Sequence, residues 1–131
     1  MILIKLSKKV EKNSLYWTIN TSDSFSKTFL SGIKDENRDL AYDFLGDNDG
    51  ARLSNAIQEN INEIKEKEVP DYIILLTNIG VELEEYTSNG LLSKLEGVTA
   101  ILDGHTHKIY NRTYKDKNGN LIPVSQVGIK L

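Results

Sequence analysis

From residue 49 onward the apolar positions fall into two periods. Leu53, Ala56, Ile57, Ile61 and Ile64 recur at helical spacing, with Glu, Asn, Gln and Lys on the opposite side. This predicts an amphipathic helix. Asn48 or Asp49 can cap its start, and it ends at Val69, because a residue before proline is pushed out of the helical region. Residues 72–76 ("YIILL") form a continuous apolar run of strand length, the pattern of a strand buried on both faces. Residues 84–96 read as a second, shorter helix interrupted near Asn89-Gly90, and residues 98–102 ("VTAIL") as another buried strand. The two strands are expected to be parallel neighbours, with the 84–96 helix crossing over between them. "KIYNRTY" and "LIPVSQV" flank "KDKNGN", whose Asn118-Gly119 pair is the strongest short-range hairpin signal. The first 48 residues are weakly patterned: "MILIKL" and "LYWTI" are strand-like, among Ser, Thr, Asn and Asp that favour turns.

Helix, buried strand, helix, buried strand and hairpin make an α/β pattern. In such sheets, ligands bind outside the carboxyl ends of the strands. Two loops fall there: Thr77-Asn78-Ile79-Gly80, and the segment from Asp103 to His107.

Composition changes this picture little. A chain of 131 residues is one domain by the usual size prior. A formal charge of -3 gives no field that attracts a nucleic acid polymer or an anionic membrane. No apolar run approaches the roughly 20 residues that span a bilayer, and the start is a poor signal peptide, which reads as cytoplasmic. With no cysteine there is no disulfide and no thiolate metal site.

Candidate chemistry is concentrated in "ILDGHTHK". The chain has only two histidines, His105 and His107, and both stand here. Histidine is the commonest metal ligand and the usual general acid or base near neutral pH. In extended backbone, residues i and i+2 point to one side, so the two imidazoles are expected to share a locale with Thr106 turned away. Gly104 allows a sharp turn or close approach, and Asp103 is near enough to orient an imidazole. The alternative is a polar loop with two solvated histidines.

"ILDGHTHK" resembles the Gly-His-x-His motif of calcineurin-like metallophosphoesterases, in the form found in the 5'-nucleotidase group. The order around it agrees. A strand like "DYIILLTNIG" precedes the motif there and ends in Ser/Thr-His-x-Gly; a helix follows, then the histidine strand, then a strand ending in a Gln-Ala-Gly-like turn that "IPVSQVG" matches. The resemblance covers residues 49–131. It implies a single partial metallophosphoesterase domain, an incomplete αββα sandwich with buried strands, two helices and a C-terminal hairpin. It also implies a two-metal site of zinc, manganese or iron that clamps a phosphate ester or nucleotide and activates water. His105 matches the ligand of one metal and His107 that of the other. Asn78 stands where the family has a metal-binding histidine, and an amide oxygen is the weaker donor.

Other parts of the family pattern have no counterpart. With no histidine outside positions 105 and 107, the family's Asp-x-His and Gly-Asn-His-Asp/Glu motifs cannot be present. The family's second, substrate-specificity domain is likewise not expected within these residues. Asp47 and Asp49 in "FLGDNDG" read as turn and cap residues rather than a surrogate metal-bridging motif. The expectation is therefore the carboxyl-terminal fragment of a phosphate-monoester hydrolase, inactive as an isolated chain, from a family often found outside the cytoplasm. A non-catalytic module that pairs with a second chain or with itself is the other reading, because cutting a two-sheet sandwich exposes sheet faces and edges. A mononuclear hydrolase using His105, His107 and an aspartate ranks last. Gln126 is expected at a strand end beside a turn through Gly128, outside the core and without a chemical role.

Overall fold

A computed structural model describes residues 2–7, 14–20, 33–34, 36–38, 40–42, 49–81 and 87–128. The expectations for Asp47, Asn48 and residues 84–86 lie outside these described residues. Helix α1, Ala51–Glu68, follows the predicted stripe and buries Leu53, Ser54, Ile57, Ile61 and Ile64. Gly50 occupies the N-cap position, and Asp49 Oδ1 accepts from the Ala51 N–H at 3.1 Å, so the aspartate caps from one residue further out. Lys65 and Lys67 in the last turn complement the negative end of the helix dipole. Val69 leaves the helix as expected, but into the left-handed region (φ 45°, ψ 56°) rather than the extended one.

Strand β5, Tyr72–Asn78, runs two residues further than the apolar pattern indicates. It is flanked by parallel partners on both sides, and the one formed by Ser14–Asn20 carries the ladder on to Asn78. Helix α2 is Ser88–Leu92, shorter than read and without the expected interruption. Thr87 caps it, its side chain accepting from the Gly90 N–H, while Asn89 turns its amide to Val81 O and the Tyr110 hydroxyl. Strand β6, Ala100–Asp103, pairs in parallel with β5, as expected. Strands β7, Tyr110–Lys115, and β8, Leu121–Gln126, form the predicted antiparallel hairpin. Its turn is built on Asp116, whose carboxylate takes the backbone N–H groups of Asn118 and Asn120 and the Asn120 amide.

The chain leaves β6, crosses to the sheet edge as β7, and returns as β8 between them, parallel to β6. These four strands form an open mixed sheet in the order β5-β6-β8-β7. Strands β2, Ser14–Asn20, and β1, Ile2–Ser7, continue it beyond β5. Strands β3, Ile33–Lys34, and β4, Leu40–Tyr42, pair separately.

The core joins the α1 stripe, Leu91 and Leu92 of α2, and Ile73, Leu75, Ile101, Ile122 and Val124 from one face of the sheet. Gln58 ties α1 to the chain after α2, donating to Glu96 O (3.2 Å) and accepting from Glu96 N–H (2.8 Å). The expectation of strands buried on both faces needs correction among the described residues. Burial alternates along β5: Ile73 and Leu75 are buried, whereas Ile74 and Leu76 are half-buried, and on β6 Leu102 is 47% exposed. The described helices pack against one face only, and period-two alternation turns every second side chain the other way.

Candidate functional site

The parallel strands β5, β6 and β8 end together. The pairs Leu76↔Leu102 and Asp103↔Gln126 fix that row, and continuing the first pairing two residues places Asn78 opposite Gly104. A Cβ on Gly104 would stand 2.5 Å from Asn78 Oδ1, so the amide lies directly over this glycine. Gly80 has φ +87°, and a Cβ there would stand 2.9 Å from Thr106 Cγ2 and 4.0 Å from His105 Cδ2. Both glycines are needed because the two strand-end loops touch backbone to side chain. The structure thus brings Asn78, Gly80 and the histidine segment to one edge of the sheet.

Within that segment the extended geometry expected for the histidines is absent. Thr106 N–H closes a three-residue turn on Gly104 O at 3.2 Å, with His105 at its centre (φ 85°). A turn of this kind with positive φ is the rare, strained form. His107 is also left-handed, at φ 56°. Each such non-glycine residue costs on the order of 1–3 kcal/mol and persists only where its surroundings over-determine it. His105 is half-buried and His107 exposed. Thr106 does not turn away from the loop's contacts: it packs on Gly80, and its hydroxyl bonds the Gln126 amide at 2.9 Å.

Asp103 was expected to steer an imidazole, but Oδ1 accepts from three backbone N–H groups: Ile79 (3.1 Å), Gly80 (3.3 Å) and Gly104 (2.7 Å). One carboxylate oxygen therefore fastens the loop after β5 to the loop after β6. The other, Oδ2, is buried with no hydrogen-bond partner among the described residues. Gln126 ends β8 as expected, but it is buried, with 2% of its surface exposed. With its amide oxygen facing the loop, Gln126 accepts from the N–H groups of Thr106 (3.1 Å) and His107 (2.9 Å), and its NH2 donates to Thr106 Oγ1.

Asp103 and Gln126 both stand out in the sequence, one as an imidazole partner and one at a strand end, but neither was expected as an anchor of the loop. Asp103 stands two residues after Ile101, and Gln126 two after Val124, so alternation alone puts both on the buried face. A polar residue in that position at a strand end signals a loop anchor.

Beneath the strand ends lies a smaller polar cluster. Thr77 Oγ1 and Ser88 Oγ are hydrogen-bonded at 2.6 Å, and the hydroxyls of Tyr110 and Tyr114 pair beside Asn89. Burial, then the bond to Tyr114, raises the Tyr110 hydroxyl above its ordinary pKa.

As donors, His105, His107 and Asn78 offer two imidazoles and an amide oxygen. Among the described residues no three His, Cys, Asp or Glu side chains converge on one point, so no described carboxylate completes a three-ligand set with the histidines. Asp47 lies outside the described residues, and Asp49 is engaged at the start of α1. No protein-family model matches the chain, and no curated protein matches it.

Proposed function

We propose that the chain carries the carboxyl-terminal, histidine-bearing half of a calcineurin-like metallophosphoesterase domain of the 5'-nucleotidase type. Its ancestral chemistry is metal-dependent hydrolysis of phosphate monoesters such as nucleotides. The packing of the two strand-end loops carries the reading. Asn78 lies against Gly104 and Gly80 against Thr106 and His105, at the carboxyl ends of adjacent parallel strands. Ligand sites of open α/β sheets form there. The donor chemistry fits zinc, manganese or iron, which accept mixed imidazole and oxygen ligation. When bound, such ions lower the pKa of water and neutralise phosphate charge.

In this reading His105 and His107 hold metal, each a different ion, and Asn78 is a weak auxiliary ligand. The loop contributes position rather than proton transfer. With one firm protein ligand per ion, the isolated chain binds metal loosely and turns over slowly. Calorimetric titration with zinc and with manganese tests the assignment. Wild-type protein is expected to bind zinc, and His105→Ala to weaken it by at least about tenfold, or ~1.4 kcal/mol. Absence of binding, or binding indifferent to both His105→Ala and His107→Ala, overturns the reading.

A second reading rests on the half-open sheet face. Ile74, Leu76 and Leu102 share that face, and Leu102 is 47% exposed. This favours a module that pairs with another chain, or with a copy of itself, through its sheet. Sedimentation of the wild type beside Leu102→Lys separates the two. A monomer in both cases removes support for self-association.

A further inference from the structure

We infer that Asp103 and Gln126 are positioning residues that together hold the histidine loop in its strained, left-handed form. The inference rests on the proposed function only for what the loop presents. The holding itself is argued from contacts. Asp103 and Gln126 are register partners on adjacent strands, 7% and 2% exposed, at the last rung before the loop. Between them they accept five backbone N–H groups. Asp103 takes Ile79, Gly80 and Gly104, and Gln126 takes Thr106 and His107. Every loop residue from Gly104 to His107 except His105 thus has its N–H fixed by one of two buried side chains.

His105 is held from both sides. Its neighbours' amides are pinned, and the Thr106 N–H also closes the turn over it. The hydroxyl of Thr106 bonds Gln126, and its methyl rests on Gly80, which Asp103 has already tied down. This supplies the over-determination that two left-handed histidines require. The cost is visible at Asp103, where Oδ2 is buried without a partner among the described residues. Two strained histidines and an orphaned buried oxygen within five residues are unfavourable terms that a plain surface turn has no reason to collect.

Solution NMR on the full chain tests this, because a left-handed residue gives a strong intraresidue amide–Hα cross-peak. Wild-type protein should show that signature at His105 and His107, and slow amide exchange at Ile79, Gly80, Thr106 and His107. Gln126→Met keeps the volume and removes the amide. It should speed exchange at Thr106 and His107 by at least about tenfold while Leu75 and Ile101 change less. It should also weaken zinc binding by about tenfold or more, the usual effect of removing a group that orients a ligand. Asp103→Ala should release Ile79 and Gly80, and Asp103→Asn, which keeps an acceptor oxygen, should restore most of the protection.

Unchanged signatures and exchange in Gln126→Met and Asp103→Ala overturn the inference. So does a loosened loop with undiminished zinc affinity, which makes the two residues merely structural. If wild-type protein binds no zinc, the proposed function fails instead, and exchange and cross-peaks alone decide the positioning. If Asp103→Ala does not fold, the wild-type pattern and Gln126→Met still decide it.

Discussion

At the scale of single residues, the site is governed by close approach. Gly80 combines φ +87° with a would-be Cβ only 2.9 Å from Thr106. Gly80→Ala meets both the left-handed penalty and a clash with the loop. It should destabilise the protein by about 1–2 kcal/mol from the backbone term alone, read as a lower urea midpoint at unchanged slope. Asn78 already lies over Gly104. Asn78→His puts a better donor at that place, and zinc should bind more tightly by about tenfold, or ~1.4 kcal/mol. Equal calorimetric affinities would mean that position 78 does not share a site with the histidines. These residue types were legible in the sequence: both histidines, the asparagine and the glycines stand out from their surroundings. Their mutual contacts were not, because Gly80 and Thr106 meet only after two strands have paired.

At the scale of elements, helix α1 and the hairpin each carry a local device. Val69 is a β-branched residue in the left-handed region, 77% exposed. Glycine removes a left-handed cost of about 1–2 kcal/mol against an added chain entropy of about 0.5–1 kcal/mol. Val69→Gly is therefore expected to stabilise the chain by roughly 0.5–1 kcal/mol, and a lower melting temperature would contradict it. In the hairpin turn, the Asn120 side chain, followed by the backbone N–H groups of Asn120, Asn118 and Gly119, holds the Asp116 carboxyl below its usual pKa. A folded pKa below the unfolded value, about 3.9, gives stability that is present above that pH. It is lost as pH falls through the folded value. Asp116→Asn should therefore lower the urea midpoint at pH 6, and the gap to wild type should close as pH drops below about 4. A gap independent of pH would place the effect of Asp116 elsewhere than in its charge. The sequence predicted this hairpin from Asn118-Gly119. It did not single out Asp116, whose role depends on the backbone N–H groups of Asn118 and Asn120 and the Asn120 amide converging on one carboxylate.

At the scale of the molecule, one sheet face closes over α1 and α2 while the other stays half-open among the described residues. The closed face is where stability resides. Ile57 is fully buried between α1 and the sheet, so Ile57→Ala should cost about 2–5 kcal/mol. Under the proposed function, activity is expected to be limited at this same scale, by ligand count. Purified protein supplied with manganese or zinc should hydrolyse nucleoside monophosphates more slowly than about 1 per second, the low end of ordinary enzymes. Faster turnover abolished by His105→Ala would show that the chain assembles more ligands than His105, His107 and Asn78.

The sequence by itself determined what is local. The helical stripe, the two apolar runs and the Asn-Gly turn each follow from spacing within a few residues; α1 and the hairpin formed where that spacing put them, β5 ran on past Leu76 to Asn78, and β6 began at Ala100 rather than Val98. Strand ends, face coverage and loop shape were decided only by tertiary structure. β5 reaches Asn78 because its parallel neighbour β2 continues the ladder to Asn20↔Asn78, beyond the last β6 pair at Leu76. Ile74 and Leu102 are less covered than their apolar runs implied because hydrophobicity records a preference for burial, not which face a helix covers. The histidine loop is not the extended segment its i, i+2 spacing suggested. Its backbone answers to Asp103 and Gln126, a β6–β8 pair 23 residues apart in the chain. Alternation places both residues on the buried face, but which backbone groups they hold is decided only when the strands carrying them are side by side.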